Sequence, residues 1–219
     1  MSNALLSTFG FKSTKSSFIC TDPSKLKSSY EAGVIDLRIA AKATRNSRQI
    51  YLVDAHAKGA SVYRRLYFAL PAGTSLVRID GERSHVHWHI KEDDESTRAF
   101  IEAIEYILQL VKQRMDEDEA GNYVQGKIVK DGNVIIMNEP KDLKQEEFQR
   151  LQEAKGAHVL CAIAYVYQVH DEEKNLTWFG PTFEIGRYPS QPIESSSDKQ
   201  ARKKRKIEDV SSAQPESTD

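Results

Sequence analysis

The stretch SLVRIDGERSHVHWHI, residues 75–90, with the continuation KEDDESTRAFIEAIEYILQLVKQRM, residues 91–115, decides the fold class. In its first part, apolar and polar residues alternate on either side of Asp80-Gly81, a dipeptide that favours a tight turn between antiparallel strands. Ser75–Ile79 and His85–Ile90 are therefore expected to form a hairpin. After it the period changes. Phe100, Ile104, Ile107, Val111 and Met115 recur at helical spacing, widened by Ala103, Leu108 and Leu110. Arg98, Glu102, Glu105, Gln109 and Lys112 make the opposite, polar face. So broad an apolar stripe predicts a helix over about 96–115 lying across a sheet, with the acidic run 92–95 at the end the helix dipole favours.

Strand signals extend upstream. Arg48–His56 and Ser61–Leu70 read as strands around a Lys58-Gly59 turn, so residues 34–91 are β-rich and predict an antiparallel meander. Downstream, residues 123–130 and 134–137 flank Asp131-Gly132-Asn133, a second hairpin signal. A helix is expected after Asn138, with Pro140 near its first turn and Gly156 closing it, burying Leu143, Phe148, Leu151 and Ala154. His158–His170 is apolar on both faces, with Val159, Cys161, Ile163 and Val169 on one and Leu160, Ala162, Ala164 and Val166 on the other. That pattern marks a central strand, with Leu176–Ile185 as its partner. The expected fold is α+β: an antiparallel β-sheet packed against two amphipathic helices, as one core over 22–188 or as two β-rich halves, 22–118 and 119–188. Residues 1–21, rich in serine, are expected to be flexible, and 189–219, where apolar residues give way to Pro, Ser and charges, to be disordered.

With 219 residues, 39% of them hydrophobic, the chain can bury a real core. Its two cysteines, Cys20 and Cys161, are too few for a disulfide framework or a cysteine zinc site and point to a reducing compartment. No apolar run approaches the length of a membrane span. The formal charge of −1 hides an asymmetry. Residues 1–91 hold 14 Lys/Arg against 6 Asp/Glu, whereas residues 92–184 hold 10 against 20. A basic first part favours a polyanionic partner or attraction to the acidic second part.

Within the tail, Arg202, Lys203, Lys204, Arg205 and Lys206, followed by Ile207, Glu208 and Asp209, resemble the monopartite nuclear-localisation signals bound by importin-α. The resemblance implies an address in the nucleus and importin-α as a partner. Such recognition needs an extended, accessible segment whose cations reach acidic pockets. Nearby, Ser195-Ser-Ser-Asp198 fits an acidophilic kinase, and phosphorylation would add negative charge beside the basic run.

Three features of the core bear on function. Alternation places Tyr63, Arg65 and Tyr67 on one strand face, where rings and guanidinium can stack bases and meet phosphates. Lys42, Arg45, Arg48 and Lys58 on neighbouring elements extend that basic patch. Second, His85, His87 and His89 share a strand face with neighbours roughly 7 Å apart, a spacing that grips zinc when a further ligand such as His56 or Asp54 arrives. Over four residues, His-Val-His-Trp is similar to the zinc strand of α-type carbonic anhydrases; chain length and surroundings differ. Third, Trp178, Phe179 and Phe183 with Pro181 offer either a partner-binding edge or hairpin packing.

No Gly-x-x-x-x-Gly-Lys-Ser/Thr phosphate loop and no nucleophile-elbow pentapeptide occurs. The expectation is a non-enzymatic nuclear protein, without cofactor or membrane contact, that binds DNA or RNA through its basic amino-terminal sheet. The alternatives are a nuclear protein-interaction or self-associating protein without nucleic-acid contact, and a zinc enzyme built on the His85 row.

Overall fold

In the computed structural model, residues 2–43, 49–71, 75–81, 84–91, 94–118, 121–139, 143–153 and 159–187 are described. They form eleven strands of one sheet and four α-helices, a mixed α and β architecture dominated by strands. In chain order these are α1 (Asn3–Thr8), β1 (Phe11–Ser13), β2 (Ser17–Cys20), α2 (Leu26–Glu31), β3 (Ile35–Ala43), β4 (Gln49–Ala57), β5 (Arg64–Ala69), β6 (Ser75–Ile79) and β7 (His85–His89). There follow α3 (Glu95–Asp118), β8 (Tyr123–Gln125), β9 (Val134–Asn138), α4 (Gln145–Glu153), β10 (Val159–Asp171) and β11 (Leu176–Arg187).

The decisive stretch folds as its periodicities require. β6 and β7 pair antiparallel from Ser75↔His89 to Ile79↔His85. Asp94 starts α3: its carboxylate accepts from the Thr97 backbone N–H and hydroxyl, both at 2.9 Å, and from the Ser96 hydroxyl, satisfying donors the first helical turn leaves open. Hydrogen bonds from Ser96 and Thr97 hold the Asp94 carboxyl below its ordinary range. Along α3 the stripe Phe100, Ile104, Ile107, Leu108, Val111 and Met115 is fully buried.

Phe100 shows how the sheet meets that helix. Its ring stands edge-on to Phe68 of β5 (centroids 5.7 Å apart) and to Trp88 of β7 (4.9 Å). Between β5 and β7 lie β10, which pairs directly with β5, then β11 and β9. Strands so far apart share one ring only because the sheet curls around the helix, as twisted sheets do. Tyr106 brings α2 to the same side through a Tyr30 contact at 6.3 Å. At the β6 end, α4 buries Phe148, and its Gln152 amide donates to the Leu76 carbonyl at 2.6 Å.

Four expectations are corrected. The sheet is mixed rather than antiparallel: β2 runs parallel to β5, and β8 and β9 run parallel to β11. The meander is broken, because β5 lies beside β2, β4 and β10 rather than β6. Residues 1–21 are not merely a flexible lead. Asn3–Cys20 build α1, β1 and β2, and Leu6, Phe11, Phe18 and Cys20 are buried in the common core. The described residues hold four α-helices rather than two; of the arrangements left open for the core, they build a single sheet, since β10 pairs with both β4 and β5. The Asp131-Gly132 turn forms, with φ of 50° and 80°, yet the chain on its two sides closes only one bridge, Lys130↔Val134. Pro140, Ala154, Gly156 and the tail from residue 188 lie outside the described residues.

Candidate interaction face

Because cross-strand partners share a face, the register traces one continuous row: Tyr67, Ala162, Glu184, Asn138, His85, Ile79, crossing β5, β10, β11, β9, β7 and β6. A neighbouring row through Phe183, Met137, Val86 and Arg78 points to α3 and α4. The first row therefore marks the opposite surface of the sheet, which is buried at Ile19, Leu160 and Ala162 and exposed further along β10 and β11.

On this surface the basic patch meets carboxylates. Arg38 of β3 lies opposite Asp54 of β4 and holds it at 2.6 Å. Asp36, opposite His56, accepts from the Tyr63 hydroxyl at 2.6 Å and lies 3.2 Å from His56 Nε2. Arg38 also stacks on the Tyr63 ring at 4.6 Å, and His56 abuts that ring edge-on at 4.1 Å. The Tyr63 hydrogen bond, ahead of a smaller contribution from His56, holds the Asp36 carboxyl below its ordinary range. The same bond raises the Tyr63 phenol. Tyr63 precedes β5, so it is not a free ring of a Tyr-Arg-Tyr platform; it pins the β4–β5 connection to the β3–β4 hairpin.

Arg65 and Tyr67 do share the outward face. Arg65 lies 3.8 Å from Glu184 of β11, while Arg64 turns away and donates to the Lys15 carbonyl at 3.2 Å. Tyr67 lies over Gly186, where an added Cβ would come within 2.5 Å of the ring. Lys42 and Lys58 are exposed, and Arg45 and Arg48 lie outside the described residues.

β10 and β11 add what strand alternation alone does not find. A bulge between Ile163 and Tyr165 shifts the phase of β10. Ile163 stays buried, while Tyr165, Tyr167 and Val169 emerge on the face opposite α3. Val169 lies opposite Trp178, and Tyr167 opposite Gly180. Tyr167, Val169 and Trp178 are 37%, 44% and 40% exposed, a cluster of large apolar side chains left in water. The expected aromatic edge of β11 is thereby divided: Phe179 and Phe183 pack in the core, and Trp178 faces outward.

The histidines share the outward face, with ring centroids 5.2 Å apart from His85 to His87 and 6.3 Å from His87 to His89. Among the described residues, no three His, Cys, Asp or Glu side chains are grouped to hold a metal ion. The further ligands weighed for zinc, His56 and Asp54, sit on β4 with β10, β11 and β9 between, and are engaged by Asp36 and Arg38. Burial first, then the charges of His85 and His89, lower the His87 pKa below the ordinary imidazole value. A lowered pKa means the unfolded chain binds the proton more readily. The contribution of His87 is thus complete above about pH 6.5 and is lost as pH falls through its folded value. His87→Gln is expected to flatten the loss of stability between about pH 7 and 5, followed by denaturant midpoints; a slope equal to wild type refutes this.

The fold and this surface define a β-rich protein in which, among the described residues, a mixed sheet curls around one long helix and exposes Tyr167, Val169 and Trp178 on its opposite face. No protein-family model, curated protein or solved structure matches the chain.

Proposed function

We propose that the chain is a non-enzymatic protein-interaction module of the nucleus whose sheet face opposite α3 binds a partner protein. The observation that carries this reading is the exposed Tyr167, Val169 and Trp178 cluster, on a face whose Arg38 and Arg65 already hold carboxylates. Tyr, Trp and Arg are the residues that concentrate binding energy at protein interfaces. A phosphate-binding surface needs unneutralised cations instead. Burial raises the thiols of Cys20 and Cys161, leaving them as core side chains without nucleophilic character. Among the described residues, no helix is long and apolar enough to cross a membrane.

The test is recovery of a stoichiometric partner from nuclease-treated nuclear extract by the full chain. Polarisation assays with oligonucleotides run beside it. No nuclease-resistant partner, together with oligonucleotide binding that weakens steeply with salt, overturns the reading. A second reading, DNA or RNA on the same face, is favoured by the four rings Tyr67, Tyr165, Tyr167 and Trp178 gathered there with Arg65 and Lys42, because bases stack on such rings. The nuclear address rests on Arg202–Lys206, outside the described residues. Replacing Lys203 and Lys204 by alanine is expected to abolish nuclear accumulation of the chain fused to a reporter too large to diffuse. Unchanged accumulation removes the address.

A further inference from the structure

β3 is paired along one edge, and among the described residues its other edge is unpaired. It pairs with β4 through nine consecutive residues, from Ile35↔Ala57 to Ala43↔Gln49, without a register shift. Among the described residues no strand lies on its other side. Long exposed edges are normally blunted by proline, a bulge or several charges, because their free N–H and C=O groups template further pairing. β3 has no proline and no bulge, and its second half, Ile39-Ala-Ala-Lys-Ala43, carries the single charge of Lys42.

We propose that β3 is the seam of a homodimer, two copies pairing antiparallel about a two-fold axis through Ile39. This goes beyond the partner reading and does not depend on it. A two-fold axis perpendicular to the sheet keeps each residue on its own face, so only registers centred on a residue are open. Ile39 is the midpoint of Ile35–Ala43, so centring there pairs all nine residues. That register sets Asp36 opposite Lys42 of the second copy, twice by symmetry. Leu37 then meets Ala41, Ile35 meets Ala43, and Ile39 meets its own copy. Moving the axis one residue either way is unfavourable: centring on Ala40 opposes Arg38 to Lys42, and centring on Arg38 opposes it to itself. Like charges directly opposite destabilise a strand pair, whereas opposite charges support it. The full-length register is therefore also the charge-matched one. Asp36 and Lys42 are both exposed, so each remains within reach of a second chain. The dimer continues the outer sheet face across the seam and carries two Tyr167–Trp178 clusters.

Sedimentation equilibrium of the full chain tests this. The wild type is expected to populate a dimer at about 100 µM, in the weak range of small interfaces. Lys42→Asp sets Asp opposite Asp36 and should raise the dimer Kd about 30-fold. Asp36→Lys sets Lys opposite Lys42 and should do the same. An equimolar mixture of the two variants restores both attractions and should dimerise again. Because Asp36 also holds Tyr63, Ala40→Glu provides a test that spares that contact: it faces Arg38 of the second copy and should tighten the dimer. A monomeric wild type overturns the proposal, whether the edge is open or covered by the chain's own tail. So does a dimer indifferent to Lys42→Asp and Ala40→Glu.

Discussion

Trp88→Ala is expected to cost about 3–5 kcal/mol of folding stability, the range for truncating a large buried aromatic. Trp88 has no exposed surface and stands at right angles to Phe100, which in turn abuts Phe68. The substitution removes the ring by which the β7 side of the sheet grips α3, and the cavity opens where the curl closes. Total stability of domains is about 5–15 kcal/mol, so the variant should stand near the unfolding threshold. Trp88→Phe should cost less than half as much. It keeps an aromatic edge against Phe100 and removes an indole N–H that finds no acceptor among the described residues. Urea midpoints read both, and a Trp88→Ala loss under about 1 kcal/mol would refute this account of the core.

The parts of the fold legible beforehand were those whose hydrophobic period is long and clean. α3, β6 and β7 sit within a few residues of their expected bounds because a buried stripe leaves little freedom in phase or type. Residues 17–20 were unreadable for the opposite reason. All four side chains of β2 are buried, so no alternation distinguishes strand from helix, and the serines around them read as a loose terminus. Partner choice was hidden more deeply. A strand's pattern states which face is buried, not which edges are paired, so nothing in Arg64–Ala69 shows that β2 and β10 flank it rather than β6.

The site was half legible for a related reason. Arg65 and Tyr67 do face outward together, but the acids that meet the arginines lie on other strands, Asp54 on the adjacent β4 and Glu184 far along the chain on β11. Block counts of charge cannot show such neutralisation. Asp54 belongs to the very block whose excess of cations implied a polyanionic ligand. Tyr165 and Tyr167 were missed because one extra residue, Ala164, inverts the facing of everything after it in β10. Trp178 was visible as an aromatic but not as the exposed one, since its neighbours Phe179 and Phe183 are equally apolar and turn inward.

Trp178→Ala is expected to weaken the partner complex about 30-fold, near 2 kcal/mol, with Tyr167→Ala acting alongside it and little change in folding stability from either. Both side chains are more than a third exposed in the free protein, so truncating them should cost folding stability far less than Trp88→Ala, and a binding loss larger than the stability loss is the signature of an interface. Trp88 and Trp178 are the only tryptophans, so in Trp178→Ala the fluorescence reports on the core alone and checks folding in the same sample. Arg65→Ala is the internal comparison. Its pairing with Glu184 is long at 3.8 Å and partly in solvent, so its removal should change binding by less than about 1 kcal/mol. The order of these losses separates the two readings of the face, measured by calorimetry with the recovered partner. If Lys42 and Arg65 losses exceed that of Trp178 and all shrink as salt rises, charge rather than apolar burial drives binding, and a nucleic acid is the ligand.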